Sequence, residues 1–130
     1  MEIRFLKINE IIEIHDEEII AAGGLEGIRD IKLLESAIGA VQATFDGKFL
    51  MSIFEMAATY VNSIVFNHPF LDGNKRTAAA SALTFLYLNG YNINEKYDEE
   101  LADKVLGLVN KKINKATIAD YFKDRSTFLE

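Results

Sequence analysis

The sequence predicts an all-α fold: six helices arranged about a central buried helix, with one small β-hairpin. Three observations predict it. A single proline, Pro69, interrupts the chain, and alternating β-branched runs are few. Apolar residues recur at helical spacing behind capping residues. Finally, the stretch from Thr77 to Leu88 carries no charge, and a helix that is apolar or small all round is buried all round. A chain of 130 residues fits one domain over 1–130 and buries roughly two thirds of its unfolded surface.

Each element follows from local chemistry. Asn9 is a candidate cap for a helix from Glu10 to Ala22, with Ile11, Ile12, Ile14, Ile19 and Ile20 in a stripe and Gly23-Gly24 as its stop. A loop runs to Arg29. Asp30 then caps a helix to about Ala43 whose apolar side holds Leu33, Leu34, Ala37, Ile38 and Val41. Asp46-Gly47 between Phe45 and Lys48-Phe49 signals a tight hairpin, because a type I′ turn needs positive φ at both central residues. Ser52 and Glu55 form a capping box for a helix ending near Asn67. Pro69 disfavours helical backbone at His68, so His68 stands at that helix's exit. The uncharged helix runs from Gly73 to Asn89, with Gly90 as its stop. Helices over about Glu99–Asn110 and Lys115–Lys123 complete the set.

Composition narrows the function. Fourteen Lys and Arg against 20 Asp and Glu leave a net charge of −6, which argues against a broad surface for nucleic-acid phosphates. The absence of cysteine rules out disulfides, Cys-ligated zinc and a thiol nucleophile. No secretory run and no membrane-length apolar stretch occur, so the cytoplasm is the expected location. His15-Asp16 sits beside Glu17 and Glu18 and reads as a capped or surface histidine. The acidic run Glu95 to Glu100 suits a solvated helix start.

The chemistry concentrates in His68-Pro-Phe-Leu-Asp-Gly-Asn-Lys-Arg-Thr77. The first N–H groups of a buried helix, at Gly73, Asn74 and Lys75, have no intrahelical partner. With the helix dipole they form an anion site. Gly73 lets a phosphate approach the backbone, and Asn74 can donate a neutral hydrogen bond. Lys75 and Arg76 sit where the dipole disfavours cations, which suggests a bound anion. Asp72 suits Mg²⁺ held between a carboxylate and phosphates, and serves equally as an N-cap that would use those same N–H groups. His68 suits general base work near pH 7. Together these describe phosphoryl or nucleotidyl transfer.

The run His68 to Arg76 resembles the signature of the Fic/Doc superfamily, in its death-on-curing (Doc) branch. Gly24-Leu-Glu-Gly-Ile-Arg-Asp30, Leu34-Glu-Ser-Ala37, Gln42-Ala-Thr-Phe45 and Leu86-Tyr-Leu-Asn-Gly-Tyr91 resemble family segments in family order. The resemblance implies a Fic fold and a toxin of a toxin–antitoxin pair. It implies transfer of the γ-phosphoryl group of ATP, with Mg²⁺, to a threonine of elongation factor Tu, which arrests translation. His68 would be the base, and Asp72 would assist metal or catalytic positioning. Gly73, Asn74, Lys75 and Arg76 would bind phosphates. The hairpin Phe45-Asp46-Gly47-Lys48 would align the target. The C-terminal segment of a Phd-like antitoxin would be the partner. Superfamily members that transfer AMP carry Gly and a second Arg where this chain has Lys75 and Ala79, which favours the Doc branch over an adenylyltransferase. A non-catalytic partner of a repressor is the third reading. Ser126 to Glu130 matches part of an inhibitory-helix pattern, a match expected to be chance.

Overall fold

The computed structural model describes residues 2–130. Among them are six α-helices: α1 (Ile8–Ala22), α2 (Ile31–Val41), α3 (Ile53–Asn67), α4 (Asn74–Leu88), α5 (Asp98–Val109) and α6 (Lys115–Arg125). A hairpin of β1 (Thr44–Phe45) and β2 (Lys48–Phe49) separates α2 from α3. β3 (Tyr91–Ile93) follows α4, and β4 (Ser126–Phe128) follows α6; the two pair antiparallel, Asn92 opposite Thr127. A 3₁₀ turn, Glu95–Tyr97, leads into α5. No helix of the described residues is long and apolar enough to cross a membrane.

The caps explain most boundaries. Asp30 accepts from the N–H groups of Lys32 and Leu33. Ser52 and Glu55 form their reciprocal box at 3.2 and 3.1 Å. The hairpin turns on Asp46 (φ 53°) and Gly47 (φ 76°), both left-handed as a type I′ turn demands. Asn9 is not a cap. α1 begins at Ile8, because the Glu10 carboxylate accepts the Lys7 N–H at 2.8 Å and so closes the helix start two residues earlier.

The deepest element is α3 rather than α4. Met56, Ala57, Ala58, Tyr60, Val61 and Ile64 are fully buried, and α2, α4 and α6 all pack on this helix. α4 buries the face carrying Ala78, Ala82, Phe85 and Leu86. Its Ala79 and Leu83 line a groove shared with α5. A charge-free helix therefore marks two different neighbours here, core on one side and an open apolar groove on the other. The partial inhibitory-helix pattern at Ser126–Glu130, expected to be chance, is not helical; its first three residues form β4.

α3 ends and α4 begins at the same place, on opposite sides of the loop 68–73. Fifteen residues of helix span about 22 Å, so whatever lies at the start of α3 is distant from that loop. The hairpin lies there. Phe49 packs edge-on against Phe5 at 5.3 Å, and Phe5 stacks on Phe85 near the far end of α4 at 6.1 Å.

Candidate active site

The loop between α3 and α4 is held from three sides. α3 ends on His68, whose N–H donates to the Ile64 carbonyl at 3.1 Å. His68 takes a left-handed conformation, φ 51° and ψ 56°. That conformation costs an L-residue about 1 kcal/mol, and it avoids the right-handed backbone that Pro69 disfavours. It turns the chain sharply and leaves the imidazole exposed. Arg29 fastens the turn: its Nε donates to the His68 carbonyl at 2.6 Å and its Nη2 to the Asn67 carbonyl at 2.9 Å. A guanidinium at a helix C-terminus also meets the negative end of the dipole.

The segment 23–30 lies along the loop as a short strand partner. The Arg29 N–H donates to the Pro69 carbonyl at 2.7 Å, and the Leu71 N–H to the Gly27 carbonyl at 3.2 Å. These bonds flank an antiparallel bridge between Ile28 and Phe70. Inside the loop, the Asn74 side chain donates to the Phe70 carbonyl and accepts its N–H, both at 3.0 Å. The Asn74 amide is thus engaged with the loop backbone, and its own N–H is what it can offer an anion. Phe70 is fully buried and stacks on the His15 ring at 3.9 Å and 5°.

The start of α4 is open. Gly73 is its N-cap, left-handed at φ 75°, and among the described residues no side chain caps the helix. The first helical bond runs from the Thr77 N–H to the Gly73 carbonyl at 2.9 Å. The N–H groups of Asn74, Lys75 and Arg76 precede it and are the orphan donors of a helix start. Asp72 does not take them. Its Oδ2 accepts the Leu25 N–H at 3.1 Å and its Oδ1 the Gly73 N–H at 2.9 Å. These two bonds, Leu25 first and Gly73 second, hold the Asp72 carboxyl below the usual carboxylate range. A Cβ on Gly24 would meet Asp72 Oδ2 at 2.7 Å, so only glycine fits beside the carboxylate. The Arg76 Nη2 donates to the Gly23 carbonyl at 3.0 Å, and Lys75 is exposed.

His68, Asp72, Gly73, Asn74 and Lys75 line one cavity of about 130 Å³, closed by Val65 and Val109. It is smaller than the roughly 300–1,000 Å³ of pockets that take whole small molecules, and suits a phosphate group. Lys75 also borders the α4–α5 groove of about 480 Å³, where Arg76 joins it. Asp72 has the character of a Mg²⁺ ligand beside bound phosphates: ionised, lining the cavity, each oxygen with a lone pair left over. No cluster of three or more His, Cys, Asp or Glu side chains stands among the described residues, so substrate phosphates and water would complete the shell.

The structure brings His68, Asp72 and Gly73–Arg76 together. It does not bring the hairpin Phe45, Asp46, Gly47 and Lys48 to them. The hairpin's Phe49 packs on Phe5, which stacks on Phe85 at the far end of α4, whereas the segment 23–29 pairs with the loop that carries His68.

The model of the Fic/DOC family matches residues 5–86, the stretch holding His68 to Arg76 and the segment 23–30 that pairs with their loop. This chain belongs to the Fic/DOC family. "Protein kinase doc" of Escherichia phage P1 is 38% identical over 117 residues, covering 90% of this chain and 91% of that protein. "Toxin Doc" of Mycolicibacterium smegmatis is 38% identical over 91 residues, covering 69% and 70%. The all-α Fic fold with its small hairpin holds for this chain.

Two residues of this Fic/DOC site escaped sequence reasoning. His15 is not a surface histidine but is 1% exposed, with Nε2 2.7 Å from the Asp72 carbonyl oxygen. Its i+4 and i−4 neighbours Ile19 and Ile11 are buried with it, and that spacing was the available signal. Arg29 lies in the recognised segment Gly24–Asp30, but nothing local says that its guanidinium reaches 39 residues along the chain.

Proposed function

We propose that the protein is a Doc-type toxin of a toxin–antitoxin pair. In this reading it transfers the γ-phosphoryl group of ATP to a threonine of elongation factor Tu and arrests translation. The observation that carries the reading is the uncapped start of α4 opening into the cavity that His68 and Asp72 line. The names of the two relatives, a protein kinase and a toxin, support the same class.

The geometry supports this chemistry. Backbone N–H groups of Asn74, Lys75 and Arg76, with the two cationic side chains, hold the γ-phosphate and the charge that spreads over its oxygens. Asp72 would hold Mg²⁺, which neutralises phosphate charge. His68 accepts the proton of the target hydroxyl as that oxygen bonds to the γ-phosphorus. The bond from phosphorus to the bridging oxygen breaks, and ADP leaves. Positioning and charge account for most of the catalysis in such transfers.

The segment 27–29 is the element that would align the target. Its inner side bonds the loop through the Gly27 carbonyl and the Arg29 N–H. In an antiparallel pair the residue between such bonds points its own N–H and carbonyl the other way. Ile28 therefore offers a free strand edge beside His68, suited to main-chain pairing with a target segment. The α4–α5 groove, lined by Ala79, Leu83, Leu101 and Leu106 with Lys75 and Arg76 at its mouth, supports the antitoxin reading. An apolar helix from the C-terminal segment of a Phd-like antitoxin would cover both cations.

Intact-mass spectrometry of elongation factor Tu after incubation with the protein, ATP and Mg²⁺ tests the proposal. A phosphate-sized adduct that His68→Ala abolishes is expected. An AMP-sized adduct would favour adenylyl transfer, and no adduct would support neither transfer. Growth arrest on expression, relieved by a neighbouring short gene, tests the toxin assignment.

A further inference from the structure

We propose that His15 is a positioning residue for the phosphate-binding turn, acting through the Asp72 carbonyl. The inference rests on the phosphoryl-transfer reading of the same site. His15 lies on α1, outside the His68–Thr77 segment, and is 1% exposed. A buried imidazole without a partner is costly, and this one has a partner: Nε2 stands 2.7 Å from the Asp72 carbonyl oxygen. A carbonyl can only accept, so Nε2 carries the proton and donates. Its other ring nitrogen, Nδ1, is 3.8 Å from the nearest Asp16 carboxylate oxygen, beyond hydrogen-bond reach.

The bonded carbonyl belongs to the peptide unit joining Asp72 to Gly73. That unit is held at both ends: its carbonyl by His15, its N–H by the Asp72 carboxylate at 2.9 Å. Gly73 follows in a left-handed conformation with ample freedom of its own. A peptide plane ahead of a glycine rotates readily unless both its polar groups are engaged. Rotation here would swing the Asp72 carboxylate and the first N–H groups of α4, which are the parts that meet phosphate. His15 also limits the space beside Gly73: a Cβ added there would lie 3.6 Å from His15 Cδ2. The ring's face is stacked on Phe70 at 3.9 Å, and Phe70 is clamped by Asn74. One side chain from α1 therefore sets the height of the loop through its face and the tilt of the 72–73 peptide through its edge.

The test uses the full chain and inorganic pyrophosphate as probe. His15→Phe keeps a flat ring on Phe70 and removes the donor. His15→Gln restores an N–H near the position of Nε2. His15→Phe is expected to bind pyrophosphate about tenfold more weakly, the loss of one hydrogen bond, and to shift the amide resonances of Gly73 and Asn74. Its kcat for phosphoryl transfer is expected to fall by a similar factor with the KM for the protein target unchanged. His15→Gln is expected to recover most of each. A folded His15→Phe with wild-type affinity and unshifted amides would overturn the proposal. So would equal losses in the two variants, because the donor would then not be what matters. Should His15→Phe fail to fold, the wild-type ring decides: long-range ¹H–¹⁵N spectra are expected to show a proton on Nε2, and a bare Nε2 overturns the assignment. A wild type that binds pyrophosphate yet labels no protein would sink the phosphoryl-transfer reading alone and leave His15 to the binding data.

Discussion

Arg29 reaches across from the loop after α1 and donates its Nε proton to the carbonyl of His68 at 2.6 Å, while its Nη2 bonds the Asn67 carbonyl at 2.9 Å. One guanidinium thus terminates α3 and fixes the turn that presents the imidazole. Arg29→Ala is expected to lower unfolding free energy by about 1–2 kcal/mol, the worth of charged hydrogen bonds at a helix end. It is also expected to cut target phosphorylation about tenfold or more, since a misplaced base acts poorly. Arg29→Lys should recover little, because a single ammonium cannot span both carbonyls. Chemical denaturation and intact-mass rate measurements check both.

His68 sits at φ 51° in a conformation that glycine adopts without strain. His68→Gly is expected to stabilise the fold by up to about 1 kcal/mol and to abolish transfer. A variant both more stable and inactive would place backbone strain at the proposed base. A melting temperature below that of the wild type would refute this account of the turn.

The Asp72 carboxyl is depressed by the N–H groups of Leu25 and Gly73. A group with a lowered folded pKa adds stability above its unfolded value, near 3.9 for Asp. That stability is lost as pH falls through 3.9 toward the lower folded value. The wild type is therefore expected to lose stability below about pH 4. Asp72→Asn should show a shallower loss there, and little transfer at any pH. Urea melts across the acid range read the difference.

Ile28 and the hairpin give opposite expectations. Ile28→Pro removes one free N–H while leaving the bonds of the Gly27 carbonyl and the Arg29 N–H in place. It should lower labelling of the protein target severalfold and leave pyrophosphate binding intact. Asp46→Ala should leave labelling unchanged, because the hairpin stands at the other end of α3. Rates for the two variants side by side decide which element meets the target.

The Ser81 hydroxyl is fully buried on α4 and meets no hydrogen-bond partner among the described residues; the same holds for Thr77 one turn earlier. A buried hydroxyl left unpaired costs about 1–3 kcal/mol, and alanine is the better helix former. Ser81→Ala is expected to raise unfolding free energy by about 1 kcal/mol and leave transfer unchanged. A destabilised Ser81→Ala would mean that a water satisfies the hydroxyl.

Caps and turns were legible because their donors and acceptors lie within four residues of each other. Asp30, Ser52 with Glu55, and Asp46-Gly47 all appear where their spacing put them. Asn9 failed because Glu10 offered a competing partner for the Lys7 N–H. The β3–β4 pair was invisible because each strand is three residues long and its partner lies 35 positions away in sequence. α4 misled for another reason: absence of charge reports an apolar environment without saying whether the neighbour is core or an empty groove.

Local sequence sufficed for most helices, for the Fic/DOC membership, and for the nine residues His68–Arg76 in which an imidazole, a carboxylate and two cations adjoin. It could do so because helix periodicity, capping and a contiguous motif are local properties of the chain. Tertiary structure decided which surroundings that motif has. It set Arg29 on the end of α3, His15 beneath the 72–73 peptide, and Ile28 rather than the hairpin against the loop at Phe70. Those three contacts join residues more than 38 positions apart. They exist only because α1 packs on α4 and α2 on α3, and such packing is settled by the burial of whole faces at once rather than by any short stretch of sequence.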